Sequence, residues 1–319
     1  MRTRAILAAL LGTAAMTSSV PLFAQARPIS YPATETVDTA DEQFGVTVAD
    51  PYRWLENDVR VDPKVAAWVE SQNKVTDAYL QTVPGRAALA SRMRALYDYA
   101  RTGVPEVAGG RYFFTRNSGL QNQAVLYVKD GQSGAERMLI DPNAWAKDGA
   151  TALDAWVPSE DGTRLIYSIQ DGGSDWRTVR VLDVATGKVL EDEVKWVKFS
   201  ALEWDKAGQG FYYSRFPEPD KAGEFQSLNT HQEIRYHAIG TPQSDDPLIY
   251  ATPDEPELNH AAEVSDDGSF LLVTSSSGTD ERYRLTMIEL GGQKAQRVIV
   301  PELVNDWQMI GMGGDRIYF

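Results

Sequence analysis

The feature that most constrains the fold is a glycine turn followed by an apolar strand, as in Gly162-Thr163-Arg164-Leu165-Ile166-Tyr167. The turn and strand recur, and the repeats begin 53, 46, 60 and 46 residues apart. The glycines that begin them are Gly109, Gly162, Gly208, Gly268 and Gly314. This spacing is typical of β-propeller blades, each a sheet of four strands. A sandwich of two sheets is the alternative, but its turns need not keep a long repeat.

The number of repeats bears on how much of a propeller is present. Four periods fit between Gly109 and Gly314, and the sequence ends at Phe319 after what the pattern predicts to be the first strand of a fifth. We therefore expect a mainly β chain that forms part of a β-propeller. A propeller closes only when its last blade meets its first, so we expect further blades to follow these residues.

The residues before the repeats predict helices. Asp62-Pro63 supplies an N-cap and a proline at the first helical position. Large side chains then follow at steps of three and four, namely Val65, Trp68, Gln72, Val75 and Tyr79. A second helix is predicted over 86–97, with Leu89, Met93 and Leu96 on one face. Two helices bury little alone, so we expect this segment to pack on another part of the protein.

The first 26 residues differ in kind from the rest. Arg2 and Arg4 precede an apolar stretch over 5–15, and Ala24-Gln25-Ala26 has the small residues of a cleavage site. A stretch of 11 apolar residues is too short for a membrane anchor, which needs about 20. We expect residues 1–26 to be a cleaved signal peptide, the mature chain to be periplasmic, and the protein not to bind membranes.

Composition argues against several partners. Because 31 Lys and Arg face 45 Asp and Glu, the net charge is −14 and nucleic acid would be repelled. The sequence has no cysteine, which removes thiolate nucleophiles and zinc–cysteine sites. Only His231, His237 and His260 remain as histidine ligands. The first two would share a strand face, but such a pair is more often structural, and we predict no metal site.

The sequence lacks the common catalytic motifs. Near matches to the nucleophile motif G-x-S-x-G at 131–135 and 172–176 lack the closing glycine and are typical of hairpin turns. No phosphate-binding, dinucleotide-binding or HExxH motif occurs, so we predict no cofactor and assign no catalytic residue within 1–319. Tryptophans such as Trp176 and Trp196 would suit a carbohydrate-binding surface, although packing between blades is the favoured interpretation.

Longer motifs carry a resemblance to a known family. Asp50-Pro51-Tyr52-Arg53-Trp54-Leu55-Glu56, followed by Trp68-Val69-Glu70-Ser71-Gln72-Asn73-Lys74, resembles the N-terminal signature of the prolyl oligopeptidase family of serine peptidases. Further motifs follow in the family's order, among them Gly173-Ser174-Asp175-Trp176, Val197-Lys198-Phe199-Ser200 and Tyr236-His237-Ala238-Ile239-Gly240-Thr241. The resemblance covers nearly all of 31–319.

The resemblance implies a two-domain enzyme. An α/β-hydrolase domain, built from both ends of the chain, would be capped by a seven-bladed propeller. Residues 27–99 would belong to the hydrolase domain, and 100–319 would be blades 1 to 4 with the first strand of blade 5. The Ser, Asp and His of the family's triad lie after the propeller. The chain as given is therefore expected to be inactive alone, to lack its C-terminal hydrolase partner, and to be a monomer when full length.

The implied function is that of a serine endopeptidase. It would hydrolyse short peptides on the carboxyl side of proline, and its propeller would limit substrate size. The alternative, from a different functional class, is a non-catalytic propeller module that binds peptides.

Five residues are candidate substrate contacts by resemblance. Phe199 matches an aromatic residue that lines an outer subsite for the peptide, with a place in the blade core as its alternative role. Asp175 matches an acidic residue that faces a substrate-binding arginine of the hydrolase domain, with a turn cap as the alternative. Asn259, Ser276 and Thr279 stand where mammalian members have methionine, arginine and cysteine. A less basic and less apolar outer subsite follows.

Overall fold

A computed structural model of the chain describes residues 29–172, 174–219, 227–291, 295–307, 310–313 and 316–319. The predicted signal peptide at 1–26 lies outside these residues. The chain divides into two compact units with their border between Ala87 and Ala88. No helix among the described residues has the length and apolar content needed to span a bilayer.

The first unit begins with a hairpin and continues into a long helix. The hairpin consists of β1 (Ala40–Gln43) and β2 (Val46–Ala49). A 3-10 turn at Arg53–Glu56 precedes α1 (Pro63–Thr82), and α2 (Arg86–Tyr97) crosses the border between the units. The carboxylate of Asp62 accepts a hydrogen bond from the N–H of Lys64 at 2.8 Å, which confirms the predicted N-cap of α1.

The second unit contains four antiparallel blades. Blade 1 consists of β3 (Arg101–Thr102), β4 (Glu106–Ala108), β5 (Arg111–Asn117), β6 (Val125–Asp130) and β7 (Glu136–Ile140). Blade 2 consists of β8 (Ala152–Pro158), β9 (Arg164–Gln170), β10 (Arg177–Asp183) and the first half of β11 (Val189–Trp204). The end of β11 starts blade 3 and is followed by β12 (Gly210–Arg215), β13 (Glu233–Ala238) and β14 (Leu248–Ala251).

Blade 4 and a final hairpin complete this unit. Blade 4 consists of β15 (Leu258–Val264), β16 (Phe270–Ser277), β17 (Arg284–Glu289) and β18 (Gln296–Val300). The hairpin pairs β19 (Gly311–Gly313) with β20 (Arg316–Tyr318). The mainly β fold predicted from the repeats is confirmed.

The strand count at the end of the chain differs from the prediction. The pattern predicts a single strand at the end of the chain, the first of a fifth blade. The structure has two strands there, β19 and β20. The reason is that the repeat glycines at 109, 162, 208 and 268 lie in the turn between the first and second strands of a blade, where β3 and β4 of blade 1 together count as the first because both pair with β5. The apolar run that follows each of them is therefore the second strand.

Alternating side chains form the core between blades. In β9, Leu165 and Tyr167 pack toward blade 1, while Ile166 packs toward blade 3. In β12, Phe211 packs toward blade 2 and Tyr212 toward blade 4. Each of these residues is at most 7% exposed. Blades 2 and 3 therefore bury both faces of their sheets, as the two-residue period of a strand allows.

The repeat glycines permit neighbouring turns to touch. A Cβ added to Gly109 would lie 1.8 Å from the carbonyl oxygen of Asp161, and one added to Gly162 would lie 2.5 Å from that of Ala108. Both glycines also have positive φ, 55° and 66°. Any side chain here would push blades 1 and 2 apart.

Arginines reinforce the same contact from the start of the second strands. The Nη1 of Arg111 donates to the carbonyl oxygen of Gly162 at 2.8 Å, and the Nη1 of Arg164 donates to that of Gly208 at 2.8 Å. The glycine turn of one blade is thus held by an arginine of the preceding blade.

A buried charged cluster joins blades 2 and 3. The Nδ1 of His237 lies 2.9 Å from Oδ1 of Asp246, and its Nε2 lies 3.2 Å from Oδ1 of Asp192. The hydroxyl of Tyr213 donates to Asp246 at 2.7 Å. Burial alone would lower the pKa of His237, but the hydrogen bonds and charges of the two aspartates outweigh it and raise that pKa. The two carboxylates thus favour the charged form of the His237 imidazole.

We predict that Asp246→Asn lowers the free energy of unfolding by about 3 kcal/mol, because it leaves a buried charge network with one partner missing. Urea denaturation measures the change. The control is Glu160→Gln, which removes an exposed pair with Lys206 (2.7 Å) and should cost less than about 1 kcal/mol. Equal losses in the two variants would contradict the role given to the buried cluster.

Candidate functional site

β11 bends where it passes from blade 2 to blade 3. Trp196 and Phe199 have φ values of 62° and 51°, a left-handed conformation that bulky residues rarely adopt. The pairing of β11 with β12 shifts register between Val197 and Leu202. At this bend the Phe199 side chain is 48% exposed, although it belongs to a strand of the core sheet. The bend therefore presents an aromatic ring at the surface.

Aromatic rings back the exposed Phe199. Its ring meets the edge of Phe216 at a centroid distance of 6.5 Å, and Phe216 meets Trp176 at 6.3 Å. Trp176 in turn meets Trp196 at 5.6 Å, nearly perpendicular to it. Such edge-to-face contacts hold rings in defined orientations. The sequence was compatible with a carbohydrate-binding surface at these two tryptophans. In the structure both contribute to this packing.

Lys198 lies inside the same cluster. Its side chain is buried, with Nζ 4.2 Å from the centroid of the Trp176 ring and 3.0 Å from Oδ1 of Asn229. Burial lowers the pKa of Lys198, and the nearby charge of Asp175 partly opposes this. The ammonium group therefore ties the bend in β11 both to Trp176 and to the segment before β13.

A buried glutamine links the bend to blade 4. The Nε2 of Gln232 donates to the carbonyl oxygens of Lys198 at 2.9 Å and of Phe199 at 3.4 Å. Its Oε1 accepts a hydrogen bond from the backbone N–H of His260 at 2.5 Å. The residue is 1% exposed. One side chain thus contacts the strand that carries Phe199 and the strand that carries Asn259.

The structure brings four of the five candidate residues to one end of the blades. Asn259 and Ser276 are directly opposite each other in β15 and β16. Gln232 bonds the backbone of Phe199 and of His260, the residue that follows Asn259. Asp175 is exposed in the loop between β9 and β10, next to Trp176. This end lies opposite the glycine turns. The turn at Asp175 is capped by another residue, since the Ser174 hydroxyl accepts from the Trp176 N–H at 3.0 Å.

The remaining candidate, Thr279, is exposed in the turn that follows β16. Among the described residues it takes no part in the hydrogen bonds around Gln232. Asn259 has a buried Oδ1 without a hydrogen-bond partner in the described part of the chain. Roles in substrate binding stay predictions for all five residues.

A second set of polar residues lies toward the glycine-turn end. Glu106, Glu203 and Glu263 occupy equivalent positions on the first strands of blades 1, 3 and 4. Burial raises the pKa of Glu203 to about 7, and the like charges of the other two add to the shift. No three His, Asp or Glu side chains within the described ranges are placed to hold a metal ion.

Comparisons with known proteins identify the family. Residues 31–319 match the model for the N-terminal β-propeller domain of prolyl oligopeptidase. The chain belongs to the prolyl oligopeptidase family. It is 36% identical to a prolyl endopeptidase of Elizabethkingia meningoseptica over 252 residues, which cover 79% of this chain and 35% of that protein.

Solved structures of the prolyl oligopeptidase family show the same fold. A prolyl endopeptidase is 46% identical with a TM-score of 0.64, and the match covers 90% of this chain and 41% of that one. Prolyl oligopeptidase B from Galerina marginata, bound to a 25-residue macrocyclisation substrate, is 29% identical with a TM-score of 0.76, and the match covers 91% and 44% of the two chains. The chain thus spans less than half the length of these relatives.

Sequence reasoning missed the residues that support the site. Neither Gln232 nor Lys198 stood out, because neither has a spacing or motif that marks a structural role. The sequence places His260 in a blade but does not show which side chains it contacts. In the structure it is 1% exposed and contacts Ser275 through Nδ1 at 2.9 Å and Thr252 through Nε2 at 3.2 Å.

We predict that His260 makes the protein sensitive to acid. Burial, together with the charge of Arg284, lowers the pKa of His260 to about 4. Between that pH and about 6.5, the unfolded chain binds a proton that the folded chain does not, so the free energy of unfolding decreases as pH falls. The loss over this range is about 3 kcal/mol.

The measurement is urea denaturation at several pH values across that range. His260→Asn should flatten the pH dependence relative to wild type. His231→Asn is the control, because His231 is exposed and asparagine tolerates its φ of 63°. An unchanged slope in His260→Asn would contradict the prediction.

Proposed function

We propose that this chain is the N-terminal portion of an exported serine endopeptidase that hydrolyses short peptides on the carboxyl side of proline. The observation that carries the proposal is the family match over 31–319, together with relatives named prolyl endopeptidase. In this proposal residues 1–26 direct export to the periplasm, 27–99 complete a hydrolase domain, and 100–319 form blades 1 to 4 with the start of blade 5. The full-length protein would be a monomer.

The catalytic Ser, His and Asp would come from sequence beyond residue 319. Within the described residues, His237 and His260 are each 1% exposed and have both ring nitrogens engaged by side chains. A general base must reach the proton that it removes from the nucleophile. These buried histidines therefore serve the blades, and the propeller contributes binding and access.

The exposed bend of β11 supports a peptide-binding role for the propeller. Phe199 offers an apolar ring on a rigid aromatic backing, which suits an apolar side chain of a bound peptide. Asn259 and Ser276, paired on β15 and β16 at the same end of the blades, offer hydrogen-bonding groups in place of charge. Asp175, exposed nearby, would pair with an arginine of the hydrolase domain when the two domains close. The closed propeller would leave room only for short chains, and size selection would follow from that.

We predict that the full-length natural product carries a reactive serine. A fluorophosphonate probe applied to a periplasmic extract should label a band well above 35.3 kDa that is recognised by an antibody against residues 27–319. The purified protein should cleave proline-containing peptides after proline. If the antibody marks only an unlabelled band near or below that mass, the peptidase proposal fails and a peptide-binding module replaces it.

We further predict that Phe199→Ala weakens binding of extended peptides without impairing the chemical step. Loss of the ring removes contact with a residue upstream of proline, so KM should rise about tenfold while kcat changes by less than about twofold. Steady-state kinetics with a peptide extended upstream of proline and with a minimal acyl-proline amide would separate the two effects. An equal loss of activity on both substrates would argue against an outer-subsite role.

A further inference from the structure

Left-handed, non-glycine residues border one side chain, that of Gln232. Trp196, Phe199 and His231 have φ values of 62°, 51° and 63°, and they are the non-glycine residues with positive φ among the described part of the second unit. His231 directly precedes Gln232, and the carbonyl of Phe199 accepts from it. Strained backbone of this kind persists only where surrounding contacts hold it, and it gathers at functional sites.

The Gln232 amide makes contacts that no other side chain of its size can reproduce. Its NH₂ group donates to two carbonyl oxygens at the bend of β11, and its oxygen accepts from the N–H of His260 in β15. A leucine has the volume but no polar atoms, and a glutamate would present oxygen to both carbonyls. The bonds cross from blade 3 to blade 4, which belong to separate sheets.

We propose that Gln232 is a positioning residue that sets the placement of Phe199 relative to Asn259, and thereby the preference for peptide residues upstream of proline. The inference rests on the proposed function. Gln232 is 1% exposed and does not itself reach the peptide. It acts through the backbone of the residues on either side of the outer subsite.

A purely structural role is the competing explanation, and the chain offers a matched control for it. Gln243 also bridges the backbone of β11, since its Oε1 accepts from the N–H of Lys195 at 3.0 Å and its Nε2 donates to the carbonyl of Lys195 at 3.0 Å. Within the described residues its side chain bonds the Lys195 backbone and the Tyr213 hydroxyl, so it bonds neither Phe199 nor β15. Removing it should weaken β11 without moving the outer subsite.

The experiment compares full-length wild type with Gln232→Leu, Gln232→Glu and Gln243→Leu. Each is assayed on peptides that keep the proline and vary the residues upstream of it, and on a minimal acyl-proline amide. Thermal melting is recorded for all four proteins. We expect both Gln232 variants to raise KM about tenfold for the preferred extended peptide and to flatten the preference among peptides. For the minimal substrate, kcat should stay within about twofold of wild type.

Each outcome decides between the explanations. If Gln243→Leu melts lower but keeps the wild-type peptide preference, while the Gln232 variants lose it, the assignment stands. If the Gln232 variants keep the wild-type preference, or if neither folds while Gln243→Leu does, Gln232 is structural and the inference is overturned. If wild type itself cleaves none of the peptides, the proposed function fails first, and the inference fails with it.

Discussion

The burial of both faces of each internal blade is the constraint on which the structure depends. Because a strand alternates its side chains, β9 can place Ile166 against blade 3 while Leu165 and Tyr167 face blade 1. Sheets that pack so closely bring their turns into contact. At Gly109 and Gly162 the backbones approach until there is no room for a Cβ. The glycine repeat is thus a consequence of packing between blades.

The same packing shapes the candidate site. β11 is the outer strand of blade 2 and the inner strand of blade 3, so it must change direction between two blades that pack against each other. The change is made through left-handed residues at Trp196 and Phe199, and it leaves the Phe199 ring exposed. Two buried polar side chains then hold the bend. Gln232 donates to the backbone carbonyl of Lys198, and the ammonium group of Lys198 lies over the Trp176 ring. A feature of the fold thereby exposes an aromatic ring at one end of the blades.

The blades could be predicted from the sequence because the pattern that marks them is local. A glycine turn and the strand after it are adjacent in the chain, and their repetition predicted the architecture. The same pattern did not show whether the strand after the glycine was the first or second of its blade, since pairing partners are not local. The residues that hold the candidate site in place could not be predicted for the same reason. Gln232 contacts residues more than 25 positions away on either side, and nothing in the letters of Trp196 or Phe199 indicates a left-handed backbone.

The unbroken course of β11 also has a mechanical consequence. Blades 2 and 3 form one seven-stranded sheet joined by backbone hydrogen bonds, whereas blades 1 and 4 belong to separate sheets. A continuous hydrogen-bonded sheet is stiff, while a boundary held by side-chain packing is more compliant. The shared strand β11 therefore gives blades 2 and 3 a backbone hydrogen-bonded connection that neither of them has with blade 1 or blade 4. The bond from Gln232 to β15 crosses one of these compliant boundaries, so any spreading of blades 3 and 4 is felt directly at Phe199.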